Sequence, residues 1–399
     1  MSTPRLVVFS SLFPNELQPN SGVFIRERMF RVGQTLPMVV VAPVPWFPLQ
    51  RVIRRWKPGF RPQPPRHERQ QGIDVYHPRF ISVPGLFKSS DGLFMALGAL
   101  LTLRRLSKTF KFNIIDAHFA FPDGYAGVLL GRWFKVPVTI TLRGTEVPLS
   151  RFRGRKKRIG MALQRAARVF SVAESLKTHV TSLGAEPGKI RVVGNGVDIE
   201  KFTPCNKDEA RRRLGIAKHA KVMISVGGLV ERKGYHRIIE LIPQLLTTYP
   251  DLLYLIVGGA SAEGDIRVQL EQQVTSLGLE NHVRFMGAMP SEELRLPLSA
   301  ADLFVLATSN EGWANVFLEA MACGLPVVTT DVGGNREVIA NDELGVIVKL
   351  FDANALAQAI NHAFEKNWCT TSIIDYAKDN AWDKRVDILV EEFRRIATG

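Results

Sequence analysis

The chain of 399 residues contains few cysteines and no long apolar run. Its three cysteines, Cys205, Cys323 and Cys369, show neither CxxC spacing nor a nearby histidine pair, which argues against disulfide frameworks and structural zinc sites. The longest apolar stretch, Gly92–Leu103, falls well short of the ~20 residues that a membrane-spanning helix needs. Leu6–Phe13 predicts a strand rather than a signal peptide, because two serines interrupt it and it lacks a cleavage-site pattern. We therefore expect reduced thiols and a cytoplasmic protein.

Acidic residues are scarce in the first half of the chain. Residues 1–200 hold 31 Lys+Arg against 12 Asp+Glu, a net charge of +19, whereas residues 201–399 carry a net charge of −5. The excess lies in three segments mixed with aromatic or apolar residues: Trp46–Arg69, Leu93–Phe112 and Arg151–Arg158. Such segments suit an anionic bilayer or single-stranded nucleic acid, and a solvated basic face is the plain alternative. Since no nucleic-acid module is recognisable, we expect peripheral binding to the cytoplasmic leaflet and no nucleic-acid partner.

Short strands rich in Val and Ile alternate with helical segments along the chain, which predicts parallel sheets wrapped by helices. The strands form two series on either side of a turn-rich join at Val193–Pro204. The sequence thus predicts an α/β protein with two doubly wound, Rossmann-like domains facing each other across a cleft. Residues 1–195 form the first domain and 196–372 the second, and helices over 373–399 cap the second domain. Ligands of such sheets bind at the carboxyl ends of the strands.

Chemistry-bearing motifs follow strands of the second series. Ser225–Gly234 combines Gly227 with Arg232 and Lys233 ahead of a predicted helix, where glycines and free N–H groups suit an anion. Two further glutamates lie eight residues apart, on either side of a predicted helix start: Glu311 and Glu319. Taken singly, the first motif is explained as well by a glycine turn with two solvated charges. The glutamate pair is explained as well by an exposed glutamate at a helix start plus a solvated one.

The first series carries weaker signals. Gly22 lies in a loop between the first strand and a helix, and His118 ends a strand beginning at Ile114. Arg143 and Glu146 follow the next strand. Residues at carboxyl strand ends face the expected ligand side, although a buried structural histidine is the commoner case.

Together these motifs resemble the retaining glycosyltransferases of the GT4 family (group 1), which have the GT-B fold. Glu311 and Glu319 match the family's E-x7-E motif, and Arg232-Lys233-Gly234 matches its phosphate-binding loop. The resemblance implies transfer of a hexosyl group from a UDP- or GDP-sugar with retention of configuration. It also implies no cofactor and no metal.

The resemblance also implies individual roles. Catalytic roles fall to Arg232, Lys233, Glu311 and His118; donor binding to Gly22, Gly227, Asn315, Val316 and Glu319; acceptor binding to Arg143 and Glu146. Many family members have histidine where this chain has Arg143, so that position departs from the pattern.

Within the family, the first-domain motifs look most like enzymes that build exopolysaccharide or teichuronic-type polymers on lipid carriers. The resemblance therefore implies a hydroxyl of a lipid-linked glycan as the acceptor. Two alternatives stay open: a sugar-nucleotide epimerase, and a non-catalytic membrane- or nucleic-acid-binding protein with the same fold.

Overall fold

The computed structural model describes residues 3–19, 21–56, 59–261 and 263–398. Lys57, which belongs to the first basic segment, lies outside the described residues. The chain divides into two compact units: unit 1 comprises Met1–Asn195 and Arg385–Gly399, and unit 2 comprises Gly196–Lys384. The division thus falls at the expected residue, but the C-terminal segment behaves differently from the prediction.

Unit 1 contains an eight-stranded sheet and a two-stranded parallel sheet. Its strands are β1 (Leu6–Phe9), β2 (Met38–Val41), β3 (Val44–Trp46), β4 (His67–Gln70), β5 (Ile73–Tyr76), β6 (Arg79–Ile81), β7 (Ile114–His118), β8 (Val138–Leu142), β9 (Arg168–Ser171) and β10 (Ile190–Val192). The large sheet has the order β10-β9-β8-β7-β1-β2-β5-β4, and only the β4–β5 pair in it is antiparallel. The small sheet pairs β3 with β6.

Helices cover both sides of the large sheet. Those in the first 195 residues are α1 (Val23–Gly33), α2 (Gln50–Trp56), α3 (Asp91–Thr109), α4 (Tyr125–Phe134), α5 (Glu146–Leu149), α6 (Arg153–Arg165) and α7 (Glu174–Ser182). None of the helices in the described residues combines the length and apolar character that crossing a membrane requires.

Unit 2 contains a fully parallel six-stranded sheet in the order β13-β12-β11-β14-β15-β16. Its strands are β11 (Val222–Val226), β12 (Leu253–Val257), β13 (Val283–Gly287), β14 (Leu303–Leu306), β15 (Val327–Thr330) and β16 (Gly345–Val348). The remaining helices of the chain are α8 (Lys207–Arg213), α9 (Tyr235–Ile239), α10 (Ile242–Leu246), α11 (Arg267–Ser276), α12 (Arg295–Ala300), α13 (Asn315–Ala322), α14 (Asn335–Val338), α15 (Ala353–Glu365), α16 (Thr370–Asp379) and α17 (Trp382–Thr398).

The central strands of both large sheets are buried on both faces, as the predicted α/β architecture requires. Successive side chains of a strand point to opposite faces. In β1, Leu6 and Val8 lie in one core cluster while Val7 and Phe9 lie in the other, and all four are fully buried. Because apolar side chains occupy both faces of these strands, most polar chemistry is expected at or close to the strand ends.

Several elements differ from the sequence-based expectation. Helical spacing of apolar residues over Arg237–Tyr249 predicts one helix, whereas the structure has two, α9 and α10, with Pro243 in the first turn of α10. Proline is tolerated there because the first amides of a helix have no intrahelical acceptor. Five strands, β3 to β6 and β10, were not predicted.

The last helix corrects the expectation that residues 373–399 cap the second domain. Helix α16 stays with unit 2, but α17 carries the chain back, and Arg385–Gly399 belongs to unit 1. The apolar side of α17 joins the unit 1 core, where the Phe393 ring packs edge-on against Phe170 with centroids 5.7 Å apart. Glu392, only 1% exposed, lies 2.9 Å from Arg168 Nε and accepts a 2.8 Å hydrogen bond from Arg191 Nη1.

We expect Glu392→Gln to lower the free energy of unfolding by ~1–3 kcal/mol, because two arginines then lose their charged partner. The matched control is Glu391→Gln, since Glu391 is exposed and pairs with Arg395 along the same helix. That change should cost no more than ~0.5 kcal/mol. Urea unfolding of both variants measures the difference, and equal effects would contradict an anchoring role for Glu392.

Candidate active site

Three loops of unit 2 come together at one edge of its sheet. Residues 227–234 follow β11, residues 307–314 follow β14, and residues 331–334 follow β15. These strands are parallel neighbours, so their carboxyl ends share an edge. This is the edge at which open α/β sheets bind ligands.

Glu311 contacts the side chains of both cations predicted for this edge, Lys233 and Arg232. Its Oε1 accepts hydrogen bonds from Lys233 Nζ at 2.6 Å and from Arg232 Nη1 at 3.2 Å. The Thr308 hydroxyl donates to the same oxygen at 3.1 Å. The Glu311 and Lys233 side chains are only 9% and 12% exposed, so their attraction is weakly screened. The structure therefore brings together three residues that the sequence predicted for one site.

Glu263 is a further member of this cluster that sequence reasoning missed. Nε and Nη2 of Arg232 donate to its two carboxylate oxygens at 2.6 and 2.7 Å, a bidentate pair. This hydrogen bonding raises the pKa of Arg232 and lowers that of Glu263. Glu263 lies in the glycine-containing loop after β12, the neighbour of β11, and that position was the only signal in the sequence.

Two glycines let the loop backbones touch. Gly234 has φ 75°, and a Cβ there would overlap the backbone oxygen of Ala307. Gly333 has φ 53°, and a Cβ there would overlap the backbone oxygen of Glu311. L side chains are strained at such φ values, and no space is left for a Cβ. Glycine is therefore required at each of the two positions. These contacts fix the backbone that carries Glu311.

Gly227 directly follows β11 and lies beside a buried hydroxyl. A Cβ at Gly227 would lie 3.2 Å from the hydroxyl oxygen of Tyr235. Tyr235 is fully buried, and among the described residues its hydroxyl has no hydrogen-bond partner. Burial raises the pKa of Tyr235 well above its ordinary value, so the group stays protonated. Such a hydroxyl can bind a water or a ligand oxygen next to the predicted donor loop.

The remaining donor residues of unit 2 lie on α13. Asn315 and Val316 form its first turn and Glu319 lies in its second, and all three are half-buried. Amides of a first helical turn have no intrahelical acceptor, so this end of α13 favours an anion. At the C-terminal end of α13, burial raises the pKa of the Cys323 thiol to about 12, which suits a structural rather than a reactive thiol.

In unit 1, Glu146 joins the loops after β7 and β8. Its Oε1 accepts from the Ala120 amide at 3.0 Å, and its Oε2 accepts from the amides of Gly144 at 2.8 Å and Arg143 at 3.3 Å. The residue is 1% exposed. The carboxylate thus accepts hydrogen bonds from three backbone amides, and its contact with an acceptor stays a prediction.

His118 is fully buried at the end of β7. Its Nδ1 lies 3.1 Å from Arg143 Nη2, and its Nε2 lies 3.2 Å from Asp116 Oδ2. Burial is the main cause that lowers the pKa of His118 to about 4, so the imidazole is neutral near pH 7. Contact between His118 and a donor sugar stays a prediction, because its ring nitrogens face protein groups in this structure.

Gly22 begins α1 with φ 72° and lies against the backbone oxygen of Leu12, so it shapes the turn after β1. Its contact with the donor also stays a prediction. Ser11 in the same turn contacts an acid that sequence reasoning missed, Asp123 in the segment after β7. The amide and the hydroxyl of Ser11 both donate to Asp123, and burial raises the pKa of Asp123 to about 7.

Comparison with known families accounts for most of the chain. Residues 206–380 match the model of "Glycosyl transferases group 1" and residues 56–201 match that of "Glycosyltransferase Family 4". The chain belongs to glycosyltransferase family 4. The predicted family is thereby confirmed.

Relatives of this glycosyltransferase differ in how much of it they share. TuaC of Bacillus subtilis (strain 168), which is assigned as a teichuronic acid biosynthesis glycosyltransferase, is 27% identical to this chain over 370 residues. The match covers 91% of this chain and 90% of TuaC. A D-inositol 3-phosphate glycosyltransferase of Corynebacterium urealyticum is 36% identical over 242 residues, 58% of this chain and 55% of the relative.

Solved structures support the predicted fold. Sucrose-phosphate synthase from Thermosynechococcus elongatus has a TM-score of 0.81 at 19% identity and covers 99% of both chains. Anabaena HepE in complex with UDP has a TM-score of 0.75 at 20% identity, covering 98% of this chain and all of that one. The GT-B fold is therefore confirmed.

Replacing Gly333 by alanine tests how far the site depends on its backbone contacts. Gly333→Ala should displace Glu311 and weaken its bonds to Lys233 and Arg232, at a cost of ~1–3 kcal/mol in unfolding free energy. Gly278→Ala is the control, because Gly278 also has positive φ (67°) but nothing lies within 4 Å of its Cβ position. Urea unfolding measures both variants, and equal losses would show that backbone strain alone matters.

Proposed function

We propose that this glycosyltransferase moves a hexosyl group from a UDP- or GDP-sugar to a hydroxyl of a lipid-linked glycan, with retention of configuration and without a metal ion. The acceptor belongs to cell-surface polysaccharide synthesis. Support for that pathway comes from the similarity to TuaC, which spans nine-tenths of both chains. Support for a uridine nucleotide comes from the fold shared with HepE, which binds UDP and UDP-glucose.

The cluster of Lys233, Arg232 and Glu311 carries the proposal. Without substrate, Glu311 pairs with both cations and Glu263 supplies a second negative charge to Arg232. A diphosphate at this edge would offer them a second, stronger anionic partner and leave Glu311 free to accept hydrogen bonds from sugar hydroxyls. Preorganised cations of this kind stabilise the charge that develops on a leaving group. The first-turn amides of α13 add to that stabilisation, and Glu319 holds the nucleotide ribose.

The proposed reaction needs no side-chain base. The acceptor oxygen bonds to the anomeric carbon as the bond from that carbon to the diphosphate oxygen breaks. The bonding electrons leave with the diphosphate, whose oxygen takes the acceptor's proton. Attack from the same face as the departing group accounts for retention. Cations at the diphosphate supply the charge stabilisation that a metal ion gives in other enzymes.

A nucleotide screen with variants tests the donor site. The screen compares UDP, GDP and ADP and their sugars. Only the cognate nucleotide and its sugar should raise the melting temperature. Lys233→Ala should abolish that shift and lower transfer ~10²–10³-fold, as for loss of one preorganised donor. Lys218→Ala is the control, because Lys218 is an exposed lysine of the same unit that pairs with Asp208.

Product analysis separates this enzyme from the alternatives. The labelled sugar should move to a lipid-extractable acceptor and leave the free nucleoside diphosphate behind. An epimerised nucleotide sugar without acceptor would instead identify an epimerase. Full transfer by Lys233→Ala would contradict the site.

The proposal also places unit 1 on an anionic membrane, because its three basic segments meet around residues 82–91. The guanidinium of Arg61 donates to the backbone oxygen of Ser82, and Lys88 Nζ donates to the Ser82 hydroxyl at 2.9 Å. At the start of α6, Gly154 lies so close to Ser89 that a Cβ would overlap its hydroxyl. Helix α3 begins at Asp91, directly after this segment.

Large apolar side chains are exposed within the three basic segments and next to them in the sequence. They include Trp56 (85% exposed), Phe87 (73%), Leu86 (58%) and Phe152 (57%), and a stripe along α3 of Leu93, Leu97 and Leu101. We call these residues, with the basic side chains between them, the basic-apolar surface. Apolar groups that enter a headgroup region beside cations that attract anionic lipid are typical of interfacial binding.

Vesicle sedimentation tests the basic-apolar surface. The protein should bind phosphatidylglycerol-containing vesicles at low salt and leave them at high salt, and Lys156→Glu/Lys157→Glu should weaken binding. The change should not unfold α6, because acidic residues favour a helix N-terminus. The control is Arg212→Glu/Arg213→Glu, an exposed pair on α8 of unit 2.

The apolar contribution has its own comparison. Trp56→Ala/Phe87→Ala should also weaken vesicle binding, whereas Phe351→Ala, an equally exposed aromatic residue of unit 2, should not. Equal binding to neutral phosphatidylcholine vesicles, or preference for single-stranded RNA over anionic vesicles, would contradict membrane docking.

A further inference from the structure

A chain of polar contacts runs through the buried end of β7 in unit 1. The Thr139 hydroxyl donates to Asp116 Oδ1 at 2.6 Å, and Asp116 Oδ2 lies 3.2 Å from His118 Nε2. On the other side of the ring, Arg143 Nη2 lies 3.1 Å from Nδ1, and Arg143 Nη1 donates to Asn195 Oδ1 at 2.6 Å. Asn195 is the last residue of unit 1 before the chain enters unit 2.

The chemistry of arginine decides where the proton of His118 lies. A guanidinium can only donate, so the Nδ1 atom facing Arg143 must be the acceptor of the neutral ring. The ring proton therefore lies on Nε2, towards Asp116. One guanidinium thereby reaches two partners at once, Asn195 through Nη1 and His118 through Nη2.

We propose that Arg143 is a positioning residue that holds His118 in the Nε2-protonated tautomer and ties it to Asn195 at the end of unit 1. Several features of its surroundings suit that role. The Arg143 backbone amide is held by Glu146, and its guanidinium stacks 5.0 Å from the Phe24 ring centroid on α1. The Arg143 side chain thus has three partners before any substrate binds: His118, Asn195 and the Phe24 ring.

Three charged groups face His118. Asp116 on the same strand favours the protonated ring, whereas Arg143 from the loop after β8 and Arg28 from α1 disfavour it. Arg28 is fully buried, and among the described residues its guanidinium nitrogens have no hydrogen-bond partner. Burial of the ring outweighs the effect of Asp116, so the pKa of His118 falls to about 4.

NMR of protein labelled with ¹⁵N at histidine tests the proposal without any substrate. The wild-type signal of His118, assigned with His118→Asn, should show Nε2 protonated and titrate only near pH 4. In Arg143→Met both the bond to Nδ1 and a repelling charge are lost, so the tautomers should mix and the pKa should rise, while burial of the ring still holds it below the ordinary value of ~6.5. Arg132→Met, at an exposed arginine of α4, should leave the signal unchanged.

Arg143→Lys keeps the test decisive where Arg143→Met does not fold. An ammonium group retains the charge but cannot replace the two-armed geometry, so the pKa should stay low while the tautomers mix. An unchanged tautomer and an unchanged titration in both variants would overturn the proposal. These measurements stand or fall independently of the transfer reaction.

The role in transfer rests on the proposed function and is tested by a double-mutant cycle. If Arg143 acts through His118, Arg143→Met should lower kcat in the wild-type background but change it little in His118→Asn. Losses that multiply in the double variant would instead mean that Arg143 acts directly on a substrate, which overturns the positioning role.

Discussion

A parallel sheet covered by helices on both sides offers only its strand ends to polar chemistry, and both large sheets of this glycosyltransferase are of that kind. Burial of both faces makes the strands almost uniformly apolar, as in β1 and β11. Functional side chains must therefore come from the loops that follow the strands. Lys233, Glu311 and Arg143 follow β11, β14 and β8, and His118 is the last residue of β7. The fold restricts the site to a few short segments of the sequence.

At those loops, opposite charges are partnered before a ligand arrives. Removing a cation from water is costly unless an anion compensates for it, so Lys233 and Arg232 require Glu311 and Glu263 in the unliganded protein. Charges that meet an internal partner can exchange it for a phosphate without first being desolvated. In unit 1, the same requirement is met differently, because Glu146 satisfies backbone amides and Arg143 donates to neutral groups.

How much of this was predictable depended on the range of the interaction. Apolar strands followed by glycine-containing motifs are predictable from local pattern: the apolar runs Val222–Val226 and Val327–Thr330 coincide with β11 and β15. The short strands β4 and β5 are partly polar and exposed, so no apolar run marks them. Glu263, Asn195 and Glu392 acquire their roles through partners 31 to 201 residues away. No local pattern reports such contacts, which is also why the return of α17 to unit 1 was missed.

The positive charge of unit 1 separates into two populations with different physical consequences. Arg28, Arg143 and Arg168 are buried or paired inside the unit and contribute to internal order, since their charges face Asp116, His118 and Glu392. The exposed cations around residues 82–91 lie instead among exposed aromatic and aliphatic side chains. A merely solvated face would not need apolar groups at full exposure, because these cost free energy in water. We propose an anionic bilayer as the partner because the same segments combine cations with exposed apolar side chains.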